Sequence, residues 1–405
     1  MTAVAHAPSE HLDRRGRLHV SDRFDEMMAR LDSIEETVRA NGAQHDIEGR
    51  LAPSTIEALK SARVFDIGVP VEVGGLEFSP RQVVAVIERI TEMDAATGWV
   101  VMVLQMITGT TAAYLGDEAT RELFSGSDYP LMAGQGTKFG QARKVEGGYR
   151  LSGQWHFASG SQLADMIHTA AVDEMGRPLI FTLPKSECTM VDNWDVMGLR
   201  ATSSDDYTVE DVFVPDAYVY EVTTKTPLHG GAIYEVGLAN MSGIQHGGWA
   251  LGMGKRLLEE MRKLAKVKSQ RAGDGTTTDQ FYAEYAQAEA KLRGARAFLM
   301  QTWADNEETI NRGEPLSTHQ ESLTRLSLNN ATWTAHDVCM TVYKWAGTTA
   351  LREGDLQRYF RDMHAGTQHM SSGPGVLQQC GRQLAGLAEG SRWVFFSLVE
   401  SAPTQ

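Results

Sequence analysis

The strongest constraint on this chain is a hydrophobic period that changes twice. Between Pro130 and Pro215, apolar and polar residues alternate in short runs broken by turn residues, as in KVEGGYRLSGQWHFAS and DYTVEDVFVP. A period of two marks strands. On both sides the period is helical. Upstream, Phe24, Met27, Met28, Leu31 and Ile34 hold one face; downstream, the stretches 251–268, 278–311, 317–345 and 375–398 are long and amphipathic, with Ala-rich faces. A β block enclosed by two helical blocks is not the strand–helix alternation of a doubly wound sheet. The expected class is α+β, mostly α. It divides into a mobile tail over 1–20, an N-terminal helical domain over 21–128, a compact β domain over 129–228 and a C-terminal helical bundle over 229–405.

Local signals agree with that order. The helical pattern from Ser21 to Ala62 breaks into two helices, the second over 46–62 with Pro53 near its start. FDIGVPVEVGGLEFSP carries too much Gly and Pro for a helix and reads as loop. Ser79 followed by Pro80 is an N-cap and first helical residue. Asp94 to Tyr114 is apolar almost all round, which predicts a buried helix. Gly147-Gly148 and, more weakly, Met175-Gly176 predict hairpins within a β domain of about six to eight strands.

Composition removes several classes of function. The chain has 405 residues and a net charge of −14, without a basic block, so nucleic acid and anionic membrane surfaces have nothing to bind. Cys188, Cys339 and Cys380 form no CxxC and no metal spacing; they read as buried thiols of a cytoplasmic protein. No apolar run reaches the length of a membrane span. GQGTKFG at 134–140 lacks the dinucleotide spacing, and GMG at 252–254 lies inside a helical pattern. An NAD(P)H site is not expected.

The stretch from Leu356 to Gly373 carries His364 and His369 beside an Arg361-Asp362 pair. Histidine is the side chain most easily poised between protonation states near neutral pH; a buried helix with satisfied histidines is the alternative. On the strand WHFASGS, Trp155 and Phe157 are either core or a flat wall for a planar cofactor, with Ser159 or a nearby backbone N–H donating to its ring. Trp194 to Pro215 places an arginine, hydroxyls and acids in a tight loop before a strand. His246, at the opening of the bundle, and Met370 are pocket or core residues.

The order of these units resembles the acyl-CoA dehydrogenase superfamily. Gly148-Tyr149-Arg150-Leu151-Ser152-Gly153, then Gly198-Leu199-Arg200-Ala201-Thr202-Ser203-Ser204, then Val212-Phe213-Val214-Pro215 follow its β-domain pattern. WAGTTALREGDLQRYFRDMHAGTQH follows its Gly-rich turn and Arg-Asp segment, and the resemblance spans roughly residues 25 to 395. It implies a central β-barrel and a homotetramer. The dehydrogenases use a glutamate base, but 362–388 contains no Glu and 240–258 contains no acid. His369, the Phe157-Ala158-Ser159-Gly160 segment, Trp194 to Arg200 and Gly98-Trp99 look like the branch of two-component flavin-dependent monooxygenases.

That branch implies an oxygenase component using reduced FMN or FAD and O2, with a separate NAD(P)H-dependent flavin reductase as partner. One oxygen atom would enter a small organic substrate, aromatic or polyketide-like, through a flavin C4a-hydroperoxide. N- or S-oxygenation of an amino sugar or heterocycle, acyl-CoA dehydrogenation or oxidation, and a silent flavin-binding scaffold are the alternatives. The resemblance makes His369 and Ser159 catalytic, and gives Trp155, Phe157, Ser159, Gly160, Arg200, Ser204 and Arg271 to the cofactor. Arg271 is similar to an arginine that reaches a neighbouring subunit's flavin. Trp99, Gln105, Trp194, His246, His364 and Met370 form the substrate pocket, with no metal. Gln105 stands where many phenol-hydroxylating relatives carry a histidine, and Ala158 competes with Ser159 for the position facing the flavin N5.

Overall fold

A computed structural model describes residues 17–126 and 128–400. The N-terminal part is helical: α1 (Phe24–Glu48), α2 (Pro53–Ser61), α3 (Pro80–Met93), α4 (Ala95–Tyr114) and α5 (Asp117–Phe124). Ser79 and Gln82 form the capping box of α3. The Asp94 carboxylate caps α4 by accepting from the Thr97 N–H. FDIGVPVEVGGLEFSP is a loop with two short 3-10 turns. The segment expected to be a tail lies largely outside the described residues. Its end is docked, with the Leu18 N–H donating to Asn311 Oδ1 at 2.9 Å.

The middle of the chain makes β1 (Met132–Val145), β2 (Gly148–Ala158), β3 (Met166–Val172), β4 (Pro178–Pro184), β5 (Thr189–Val191), β6 (Asp205–Pro215) and β7 (Val219–Glu221). They form one sheet in the order β5-β6-β2-β1-β3-β4-β7. Both predicted hairpins are present, β1–β2 around Gly147 and β3–β4 around Gly176, each glycine at positive φ. The sheet wraps round its own apolar core of Leu151, Trp155, Ile167, Phe181 and Tyr207. The edge strands β5 and β7 do not pair with each other.

The C-terminal part contains α6 (Leu238–Lys268), α7 (Asp279–Asn311), α8 (Thr318–Ala346), α9 (Asp355–Gly366) and α10 (Pro374–Leu384). The glycines of α6 let it press onto α3: a Cβ on Gly252 would stand 2.4 Å from the Glu88 carbonyl. Helix α4, the most apolar, is buried between these layers as expected.

One segment corrects the sequence reading. The stretch 375–398 was expected to be a helix, but α10 stops at Leu384. A hairpin, β8 (Ser391–Val394) and β9 (Ser397–Glu400), follows. Gly386 and Gly390, both at positive φ, break the helix. The β-branched and aromatic run after them then pairs with itself. The apolar period itself continues straight through the two glycines.

Candidate active site

A cavity of about 760 Å³ opens where the three parts meet. Helix α4 supplies Trp99, Val103 and Ile107, and the N-terminal half of β1 supplies Gly134 to Thr137. Phe157 and Ser159 come from the end of β2, and Trp194 and 196–199 from the loop before β6. Helices α6 and α9 and the turn after α9 add Ser242, His246, His364, His369 and Met370.

A β-bulge decides how β2 meets the cavity. Register against β6 shifts between Trp155 and Ala158, and Phe157 adopts φ 67°. Residues two apart on a strand normally share a face. Here the bulge breaks the alternation, so Trp155 goes into the barrel and Phe157 turns outward onto the cavity. Trp155 is fully buried, stacks on Tyr207 with ring centroids 5.4 Å apart, and donates its Nε1–H to the Ala170 carbonyl at 2.9 Å.

Behind the wall runs a chain of hydrogen bonds whose direction is fixed at both ends. The indole N–H of Trp99 can only donate, and does so to Ser159 Oγ at 3.2 Å. At the other end the Thr202 hydroxyl donates to the Leu199 carbonyl, which can only accept, at 2.9 Å. Ser159 Oγ and Thr202 Oγ1 each lie 2.7 Å from Ser204 Oγ. The single proton of Thr202 is committed to Leu199, so Ser204 donates to Thr202 and Ser159 donates to Ser204. The backbone N–H of Ser159 is also taken, by the Phe157 carbonyl at 2.8 Å. Ser159 therefore offers an oxygen lone pair rather than the donor expected from the sequence.

His369 stands opposite. Its ring stacks on His246 with centroids 3.7 Å apart, and the Trp99 ring meets both edge-on. The Ser371 backbone N–H donates to His369 Nδ1 at 3.3 Å, with Ser371 Oγ 2.7 Å from the same atom. A backbone N–H cannot accept, so Nδ1 is the acceptor and the neutral ring carries its proton on Nε2. Burial pushes His369 down to about 4 and, with His369 beside it, His246 well below the ordinary range. Both rings are neutral at pH 7.

Two family models match the sequence: acyl-CoA dehydrogenase, N-terminal domain, over residues 26–125, and acyl-CoA dehydrogenase, C-terminal domain, over 244–373. Indole-3-acetate monooxygenase of Pseudomonas putida is 29% identical over 374 residues, covering 88% of this chain and 92% of that protein. The flavin-dependent monooxygenase oxygenase subunit HsaA of Rhodococcus jostii is 26% identical over 364 residues, covering 86% and 94%. The chain belongs to the acyl-CoA dehydrogenase superfamily. Its full-length relatives put it in the flavin-dependent monooxygenase branch. Solved structures share the fold. The 3-HSA hydroxylase from Rhodococcus sp. RHA1 has a TM-score of 0.84 at 23% identity, over 89% of this chain and 97% of that one. XiaF from Streptomyces sp., in complex with FADH2 and glycerol, has 0.83 at 21% identity, over 90% and 96%.

Within this superfamily member, His369, Ser159, Phe157, Ser204, Trp99, Trp194, His246, His364 and Met370 all line the one cavity. Ser159 lines it and Ala158 is buried behind it. Four residues expected at the site stand elsewhere: Trp155, Gly160, Arg200 and Gln105 are not among the residues lining the cavity. Trp155 fills the barrel for the reason given. Gly160, at φ 81°, packs on Leu104 and donates its N–H to the Thr202 carbonyl at 2.8 Å. Arg200 ties its loop to the end of α1 through the Asp46 carbonyl at 2.9 Å. Gln105 faces away, donating to Gln245 Oε1 at 2.5 Å. Arg271 is exposed in the turn between α6 and α7. The sequence reading missed Gln135, Thr137, His168, Ser242, Phe395 and Phe396. Ser242 stands one helical turn before His246, a legible spacing; the others had none.

The histidine pair makes stability depend on pH. Above the ordinary value of 6.5, both rings are neutral whether the chain is folded or unfolded, and they add no slope. Below it, the unfolded chain takes up protons that folded His369 refuses until about 4. Stability therefore falls as pH drops through that window. In urea melts, the decline between pH 6.5 and 4 should be shallower for H369N than for the wild-type protein. Parallel curves would contradict it.

Proposed function

We propose that this chain is the oxygenase component of a two-component flavin-dependent monooxygenase that oxygenates a small, uncharged aromatic substrate. The observation that carries the reading is an apolar cavity holding a directed hydroxyl chain on one side and a neutral imidazole pair on the other. The residues fit a reduced flavin ring. Phe157 and Trp194 offer flat apolar surface, and Ser159, its own proton committed to Ser204, offers an acceptor for a ring N–H. Those residues and Ser204 would hold the ring. Reduced FMN or FAD, when bound, supplies two electrons to O2, so that one oxygen enters the substrate and the other leaves as water.

The rest is done by the protein. Val103, Ile107 and Met106 help exclude water from the cavity. His369 presents its proton at Nε2, and Ser371 keeps that tautomer. A fixed donor of this kind stabilises negative charge developing on the oxygen being transferred or on a substrate hydroxyl. Among the described residues no Asp or Glu lines the cavity, so the carboxylate base of a dehydrogenation has no candidate among them. Apolar Trp333, Met340, Leu384 and Leu387 are exposed on the bundle, which supports assembly into a homotetramer. A cytoplasmic setting, a separate NAD(P)H-dependent reductase, and Arg271 reaching a neighbouring subunit's flavin complete the proposal.

The test is to mix the protein with chemically reduced FMN or FAD, ¹⁸O2 and a panel of phenols and indoles. One labelled oxygen per product molecule is expected. No labelled product, together with bleaching of an artificial electron acceptor by an acyl-CoA, would move the protein to the dehydrogenases.

Among the described residues no Lys or Arg lines the cavity, so a carboxylate on the substrate would be buried without a counter-charge. Flavin-free protein in equilibrium dialysis should bind indole at least about tenfold more tightly than indole-3-acetate, a difference of roughly 1.4 kcal/mol. Equal affinity would remove "uncharged" from the proposal.

A further inference from the structure

The hairpin that ends the described chain reaches into the cavity. Phe395 and Phe396 form the two-residue loop between β8 and β9, and both line the cavity wall. Phe395 has φ 55°, at the first loop position, where a two-residue loop with one positive φ ordinarily carries glycine. A bulky residue in that region persists only where its surroundings hold it. Those surroundings are present. The buried Arg325 of α8 donates Nη2–H to the Phe395 carbonyl at 2.6 Å and lies over the Trp393 ring at 4.3 Å. Trp393 donates Nε1–H to Ser322 Oγ at 2.8 Å, and the Leu398 N–H is bound by Gln379 Oε1. The ring so held crosses to the β domain: a Cβ on Gly136 of β1 would stand 4.0 Å from Phe395 Cζ.

We propose that this hairpin is the size-selective wall of the substrate cavity and that Phe395 sets the limit. The inference rests on the monooxygenase reading for what the cavity is for, and on the hairpin's geometry for how it selects. Of the other walls, α4 packs against α3 and α6, α6 packs against α3 and α8, and the 194–199 loop is tied to α9. The hairpin tip is the place where one side chain, carried on a two-residue loop, spans from bundle to barrel. Substitution there changes the room available to an aromatic substrate without touching His369, Ser159 or the hydroxyl chain.

The test uses F395G and F395W. Glycine takes positive φ without strain, so F395G keeps the turn while removing the wall; tryptophan thickens it. Flavin-free protein is dialysed against phenol and against a three-ring phenol such as anthrol, and product formation is assayed separately with reduced flavin. For F395G the affinity ratio should move toward the three-ring ligand by about tenfold or more, and for F395W it should move the other way. A ratio within about twofold of wild type in both variants, with the near-UV circular dichroism of the hairpin tryptophan retained, overturns the proposal. Absence of oxygenated product in the wild-type protein would instead overturn the monooxygenase reading, and the dialysis ratio would still answer for the hairpin.

Discussion

Replacing His369 with alanine is expected to cut product formation by roughly 10²–10³-fold while reduced flavin is still consumed by O2. The expectation follows from where the ring stands. His369 lines the cavity, Ser371 binds its Nδ1 through both N–H and hydroxyl, and Nε2 keeps the proton. Alanine removes the donor but leaves Trp99, Phe157 and Ser159 in place, so oxygen chemistry continues without transfer to substrate and hydrogen peroxide accumulates. H369Q restores an N–H donor on a side chain of similar reach and should recover part of the loss; a residue acting purely as a base would not be rescued this way. Product is measured by chromatography and peroxide by a peroxidase-coupled assay. Product per flavin within about threefold of wild type in H369A would remove His369 from the chemistry.

Gly198→Ala, a change of one methyl, is expected to cost a large share of stability. A Cβ there would stand 2.2 Å from the Arg361 carbonyl oxygen and 2.7 Å from the Asp362 nitrogen. Both belong to the backbone of α9 and cannot rotate away. The loop must therefore lift from the helix. In lifting it loses the Leu199 N–H bond to Asp362 Oδ1 at 2.6 Å and the Arg361 Nη1–H bond to the Met197 carbonyl at 2.7 Å. Leu199 and Ser203, in the same loop, hold φ 54° and 42°, a strained arrangement that those anchors keep in place. Overpacking together with an orphaned buried acceptor costs about 3 kcal/mol. Because Trp194 donates its Nε1–H to the Leu199 carbonyl at 3.0 Å, the cavity wall should shift too. A urea midpoint equal to that of wild type, with unchanged tryptophan emission, would refute this account of the loop.

Much of the fold was legible because it rests on local rules. Ser79 before Pro80, and the glycines at 147 and 176, each act within a few residues of themselves. The all-round apolarity of 95–114 needs only the knowledge that such a helix must be buried. Where the reading failed, a rule of periodicity was applied across a local interruption. Gly386 and Gly390 ended a helix that the apolar period seemed to continue, and the bulge at Phe157 reversed an alternation that would have put Trp155 and Phe157 on one face.

The site divides along the same line. By itself the sequence determined the class of fold, the histidine and hydroxyl segments worth attention, and the absence of a glutamate base in the two segments that would carry one. It could not determine that His246 and His369, far apart in the chain, stack ring on ring. Nor could it determine that Ser159 spends its proton on Ser204 and so offers the cavity a lone pair, or that Phe395 reaches Gly136 from the far side of the fold. Those facts depend on which groups meet across α4, α6, β2 and β8–β9. The direction of a hydroxyl is set by the partners at both ends of its hydrogen-bonded chain, and a ring's protonation by what surrounds it after folding. Only the tertiary structure brings those partners together.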